Sequence, residues 1–127
     1  RAAKDGRPIR PEELEKLPGV GPYVGSAVRV LVFGAEETVI DEHVLRILRR
    51  VFRVHAPPRR HPTKGLKRFA NSLVPSGRAK EFNLGLLDLG RLICRAANPH
   101  CHACPVRTYC DYYAQGGETF AGEKPLE

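Results

Sequence analysis

At 127 residues, 42% of them hydrophobic, the chain is long enough for one domain, or a small two-lobed unit, with a useful core. Lysine and arginine number 21 against 14 aspartates and glutamates, a net charge of +7 that favours polyanionic partners such as nucleic acid. No apolar stretch is long enough to cross a membrane and no signal-peptide pattern opens the chain, so it reads as soluble and intracellular, in the cytoplasm or at the nucleoid. It begins at Arg1 and holds no methionine, which reads as a processed chain or a piece of a longer one.

In chain order, helical patterns run almost throughout. RPEELEKL (10–17) has Pro11 in a first-turn position followed by two glutamates, as suits a helix N-terminus. After a glycine-rich turn, YVGSAVRVLVF (23–33) continues helical until Gly34 stops it. DEHVLRILRRVFRV (41–54) sets Val44, Leu45, Ile47, Leu48, Val51 and Phe52 on one broad apolar face, with Asp41 in the N-cap position. HAPPRRHP (55–62) breaks the chain, and Pro62 with Thr63 opens a helix to about Val74. PSG (75–77) turns again, then AKEFNLGLLDLGRLIC (79–94) predicts a further helix, with Gly85 and Gly90 allowing close packing. PVRTYCDYYAQ (105–115) predicts a short helix, and the acidic, glycine-rich residues 116–127 a disordered tail. No β-alternation and no repeat is evident, so the expected fold class is all-α.

Three features carry chemistry. The first is LPGVGPYVG (17–25) between two helical patterns, the layout of a helix-hairpin-helix. Glycines at 19 and 21 permit positive φ and leave no side chain to block an approaching backbone. Successive amides beside a helix N-terminus can hold a phosphate oxygen, which fixes register on DNA without reading sequence. Gly19, Val20, Gly21 and Tyr23 are the candidate DNA-binding residues.

The second feature is Asp41, a plain N-cap or a functional carboxylate. The third is C-x6-C-x2-C-x5-C, formed by Cys94, Cys101, Cys104 and Cys110. A disulfide framework would scatter its cysteines, so the clustering points to bound metal. Four thiolates hold zinc or a [4Fe–4S] cluster; the single C-x2-C pair with flanking thiols in a compact loop favours the cluster. Covalent haem is excluded because Pro105, not histidine, follows Cys104.

Together, LPGVG, the aspartate of VIDEHVLRILRR and the cysteine loop resemble the helix-hairpin-helix DNA glycosylases of the endonuclease III type, from about Arg10 to Ala114. LVPSGRAKEFNLGLLDLGRLIC is similar to the mismatch-specific thymine and uracil glycosylases of that superfamily. The resemblance implies two helical lobes with hairpin and catalytic aspartate at the cleft between them: 1–34 in the six-helix lobe and 35–115 in the iron–sulfur lobe. It also implies that most of the six-helix lobe belongs to sequence preceding the hairpin, supplied by the missing sequence or by another chain.

Asp41 then becomes the candidate catalytic carboxylate. Breaking an N-glycosidic bond builds oxocarbenium character on the sugar, which a fixed carboxylate stabilises or meets with an oriented water. The base must first leave the stack, which costs least when it is mispaired. Tyr23 is the second candidate catalytic residue. Bifunctional members of the family carry lysine at that position, an amine that forms a Schiff base and permits strand cleavage; tyrosine cannot. The expected activity is therefore a monofunctional glycosylase on double-stranded DNA with thymine or uracil opposite guanine. The alternatives are an adenine DNA glycosylase and a non-catalytic iron–sulfur DNA-binding module.

Other residues receive brief readings. Arg46, Arg49, Arg50 and Arg53 read mainly as a solvated helix face. Arg95, His100, His102 and Arg107 are candidates for the DNA backbone, Asp88 for a structural hydrogen bond, and His43 is a weak site candidate.

Overall fold

The computed structural model describes Pro8 and residues 10–55 and 62–117, and these residues are all-α. The expected chain break at 55–62 falls mostly on residues 56–61, and most of the expected tail on 118–127; both stretches lie outside the described residues. Extended pairing among the described residues is confined to single bridge positions at Pro8 and Val54.

The first predicted helix is instead a 3₁₀ helix, Pro11–Lys16, closed by the Leu17 N–H donating to the Leu14 carbonyl at 3.1 Å. Six residues between a proline start and a glycine turn offer few i→i+4 bonds to offset nucleation, so the tighter form is used. Helix α1, Pro22–Phe33, starts with proline at its first position and ends where Gly34 turns left-handed at φ +71°. There the Ala35 N–H reaches back to the Arg29 carbonyl at 3.0 Å, closing the helix end as such glycines do.

Helix α2, Glu42–Phe52, carries the expected apolar face: Val44, Ile47, Leu48 and Val51 are buried. Helix α3, Lys64–Ser72, is capped by Thr63, whose hydroxyl accepts the Leu66 N–H at 3.1 Å. Val44, Leu48, Val54, Leu66 and Ala70 form the core between these two helices, with Phe52 edge-on to Phe69 at 5.2 Å.

Helix α4, Ala79–Asp88, does not simply continue to Cys94 as expected; it widens into a π turn over Leu89–Ile93, where the Cys94 N–H reaches the Leu89 carbonyl. Gly90 sits at this widening and packs on α2: a Cβ there would stand 2.8 Å from the Cβ of His43. The close-packing expectation therefore holds at Gly90 but not at Gly85, where a Cβ would meet nothing within 4 Å. The cysteine loop follows, with 3₁₀ turns at Cys101–Ala103 and Arg107–Tyr109, and helix α5, Asp111–Ala114, is the last described helix. The expected helix over 105–115 is thus split into two short turns by Cys110.

Candidate functional site

The hairpin is built as its residues dictate, with one correction. Gly19 takes φ +78°, a conformation that side chains resist. Gly21 does not share it: at φ −92° and ψ −175° it is ordinary extended backbone capping α1. Its lack of a side chain matters for a different reason. A Cβ at Gly21 would meet nothing within 4 Å among the described residues, so the bare backbone stands open beside the first-turn amides of α1, which have no acceptor within the helix. Gly25, one turn on, is a packing glycine: a Cβ there would stand 2.5 Å from Glu15 Cγ, so it lets α1 lie against the 3₁₀ helix.

Tyr23, in the first turn of α1, and Asp41, at the cap of α2, line one open cleft of about 100 Å³. Ala27 of α1 and Asn83, Leu84 and Leu87 of α4 complete most of its wall. Asp41 is the N-cap that its sequence position suggested: Oδ1 accepts the Val44 N–H at 2.9 Å. Among the described residues its second oxygen takes no hydrogen bond, so capping leaves half of the half-buried carboxylate for other use. Tyr23 is 49% exposed, and Leu31 and Leu84 on the cleft wall are also exposed.

An ion network joins the hairpin to the segment leading into Asp41. Arg29 of α1 binds Glu37 through Nε and Nη2, and donates through Nη1 to Glu15 at 2.8 Å; the Ser26 hydroxyl adds a bond to Glu37 at 3.0 Å. Hydrogen bonding to Glu37 holds the Arg29 pKa above its ordinary value, against the lowering effect of burial, and Glu15 assists.

The four cysteines line a single cavity with Arg50, Leu89, Val106 and Tyr112 among its other walls. Burial pushes the Cys110 thiol up; backbone N–H groups of Tyr113 and Tyr112 oppose this, while nearby Cys94 and Cys104 add to it. Among the described residues no three His, Cys, Asp or Glu side chains converge closely enough for one metal ion. Four thiols lining a common cavity are the donor set that a cubane requires, one thiolate for each iron.

Two arginines read as solvated from sequence are not. Arg46 donates through Nε to the Cys94 carbonyl at 2.9 Å and through Nη2 to the Gly90 carbonyl at 2.8 Å, and its Nη2 lies 3.0 Å from His43 Nδ1. Arg50 donates to Cys94 Sγ at 3.4 Å and to the carbonyls of Arg95 and Ala96, with its guanidinium over the Tyr112 ring. Most of these acceptors are carbonyls of the π turn and of the loop that follows it, so the i, i+4 pair clamps the start of the cysteine loop to α2. That spacing, opposite the apolar stripe, was the only local signal. Arg49 and Arg53 are half-buried.

His100, His102 and Arg107 are exposed, as backbone contacts would require, though Arg107 also bonds the Cys104 carbonyl and His102 stacks edge-on to Tyr113. Arg95 is half-buried and bonds the Asn98 carbonyl. Asp88 is exposed beside Arg91, 3.5 Å away, so it is a surface partner and not part of the core. Among the described residues no helix is long and apolar enough to cross a membrane.

Residues 3–30 match the helix-hairpin-helix motif family. The thymine-DNA glycosylase of Aeropyrum pernix is 41% identical over 109 residues, covering 84% of this chain and 49% of that protein. A solved thermostable thymine-DNA glycosylase superposes with a TM-score of 0.75 at 33% identity, over 87% of this chain and 52% of that one. An endonuclease III–DNA complex shares the fold at a TM-score of 0.68 and 24% identity, over 90% of this chain and 53% of that one. The chain spans about half the length of the relatives it matches. It belongs to the helix-hairpin-helix DNA glycosylases of the endonuclease III superfamily.

Proposed function

We propose that this chain carries the hairpin, catalytic carboxylate and cluster loop of a monofunctional DNA glycosylase that removes thymine or uracil mispaired with guanine. One observation carries the reading: Tyr23 and Asp41, eighteen positions apart in sequence, line the same open cleft beside the hairpin. In this reading the hairpin backbone around Gly19 and Gly21 donates N–H groups to a phosphate, while the Val20 N–H holds the turn by donating to the Leu17 carbonyl at 3.1 Å, and the duplex is set so that an extruded nucleotide enters the cleft. The free oxygen of Asp41 faces the sugar and stabilises its developing positive charge, or holds the water that captures it. The ring of Tyr23 packs beside the nucleotide and, being no amine, forms no covalent link to the sugar.

Cys94, Cys101, Cys104 and Cys110 would hold a [4Fe–4S] cluster. When bound, the cluster cross-links the loop through four iron–thiolate bonds and can exchange an electron. Arg46 and Arg50 tie that loop to the helix that Asp41 caps.

Gly34, where α1 stops, is the proposed boundary between residues 1–34 of one lobe and 35–115 of the other. The exposed apolar side chains of Leu31 and Leu84 on the cleft wall support a further set of helices against this side, within the half of the relatives' length that these residues do not cover. In this reading the described residues wall only part of the space that an extruded base would occupy.

The test uses the full-length protein on duplexes containing a G·T, G·U or A·G pair. Release of thymine or uracil, with an intact abasic strand and no borohydride-trapped adduct, is expected. Release of adenine alone would select the adenine-specific reading; binding without any release would select the non-catalytic module.

A further inference from the structure

Residues 35–40, between α1 and α2, belong to no helix and pair with no strand among the described residues. Side chains from two other helices take that place. On one side, Asn71 of α3 accepts the Thr38 N–H at Oδ1, 2.8 Å away, and the Thr38 hydroxyl donates to the Ala70 carbonyl at 2.6 Å. Thr38 is buried there. On the other side stands Asn83 of α4. Its Oδ1 accepts the Val39 N–H at 2.7 Å, and its Nδ2 donates to the Glu37 carbonyl at 2.8 Å and to the Ala79 carbonyl of its own helix at 2.8 Å. The side-chain amide thus meets one N–H and one C=O on either side of Thr38, as the backbone of an adjacent strand would.

A half-buried asparagine with satisfied partners is by itself unremarked. What distinguishes Asn83 is its position: it also lines the cleft shared by Tyr23 and Asp41, and the backbone it grips ends two residues before Asp41. Both of its N–H donors and one acceptor position are in use, so the pairing demands a primary amide at this reach. Aspartate would keep an acceptor for Val39 but set a carboxylate against two carbonyls. Leucine would leave one N–H and two carbonyls without this partner.

We infer that Asn83 is a positioning residue for the Asp41 carboxylate. By fixing Glu37 and Val39 to α4, it sets where Asp41 stands across the cleft from Tyr23. It touches no reacting atom and acts only through the backbone of 37–39. The inference rests on the catalytic reading of Asp41.

The experiment compares full-length wild type with Asn83→Leu and, should that variant fail to fold, Asn83→Asp. Single-turnover base release is measured at saturating folded protein, alongside the dissociation constant for mismatch DNA and hydrogen exchange of the Val39 amide. A misplaced catalytic group slows chemistry by about 10- to 100-fold, so release falls by that factor while affinity changes less than about threefold. Val39 exchange accelerates in Asn83→Leu. A folded variant that releases base at the wild-type rate overturns the inference, as does one whose binding weakens as much as its release. Asp41→Asn, run in parallel, separates the two readings. If it releases base at full rate, the catalytic assignment itself fails; if it is inactive while the Asn83 variants are not, only the clamp fails.

Discussion

Asp41 serves two purposes through two oxygens, and a pair of substitutions pulls them apart. Oδ1 caps α2 by accepting the Val44 N–H at 2.9 Å, while the other oxygen takes no hydrogen bond among the described residues. In Asp41→Asn the side-chain carbonyl keeps the same acceptor at the same reach, and asparagine caps helices about as well as aspartate. What is lost is the charge at the helix N-terminus, about 0.3–1 kcal/mol of stability. Asp41→Ala removes the acceptor as well, adding roughly 1 kcal/mol, within a range of about 0.5–2. Neither change should unfold α2, because Val44, Ile47, Leu48 and Val51 hold its apolar face in the core.

Thermal unfolding of the full-length protein should therefore rank wild type above Asn and Asn above Ala. Catalysis should follow a different order: both variants lose the carboxylate, so single-turnover release from a G·T duplex drops by about 100-fold or more in each. Binding to the same duplex, read by fluorescence anisotropy, should stay nearly constant. Release by Asp41→Asn within tenfold of wild type would refute the catalytic role. Equal destabilisation by Asn and Ala would refute the division between the two oxygens.

Anaerobically purified protein should be yellow-brown, with about four irons and four sulfides per chain; stoichiometric zinc without sulfide would reverse the cluster assignment. Gly21→Val should weaken DNA binding without lowering the unfolding temperature much, because a Cβ there meets nothing within 4 Å among the described residues and stands where an external partner would approach; unchanged affinity would reduce the hairpin to a turn. Gly90→Ala should destabilise by about 1–3 kcal/mol, since the new methyl stands 2.8 Å from the Cβ of His43 and neither backbone can yield cheaply; unfolding that matches wild type would show that α2 and the π turn separate easily. Tyr23→Lys should trap a borohydride adduct and nick some strands, because it sets an amine on the cleft that Asp41 lines; trapping by the unmodified protein would overturn the monofunctional assignment.

Much of this was legible from sequence because it depends on short-range bonding. Asp41 and Thr63 mark helix starts by accepting N–H groups three residues on, and Gly34 marks a stop through its own φ. The apolar period of 44–52 names the buried face of α2, and the cysteine spacing names the loop. None of these needs a distant partner.

The rest was decided by groups brought together over long separations. Arg46 and Arg50 look like any charged helix face until the π turn and the loop after it bring carbonyls to them, forty-four or more residues later. Gly19 and Gly21 look alike in LPGVG, yet only Gly19 needs a left-handed backbone, while Gly21 leaves its flank open. The π turn at 89–93 reads as plain helix in the sequence, and the close approach of Gly90 to His43 within it involves another element. Asn83 likewise passes for one more polar residue in a helix. Its value comes from two backbone groups at 37 and 39, which only the packing of α4 against that segment delivers to its amide.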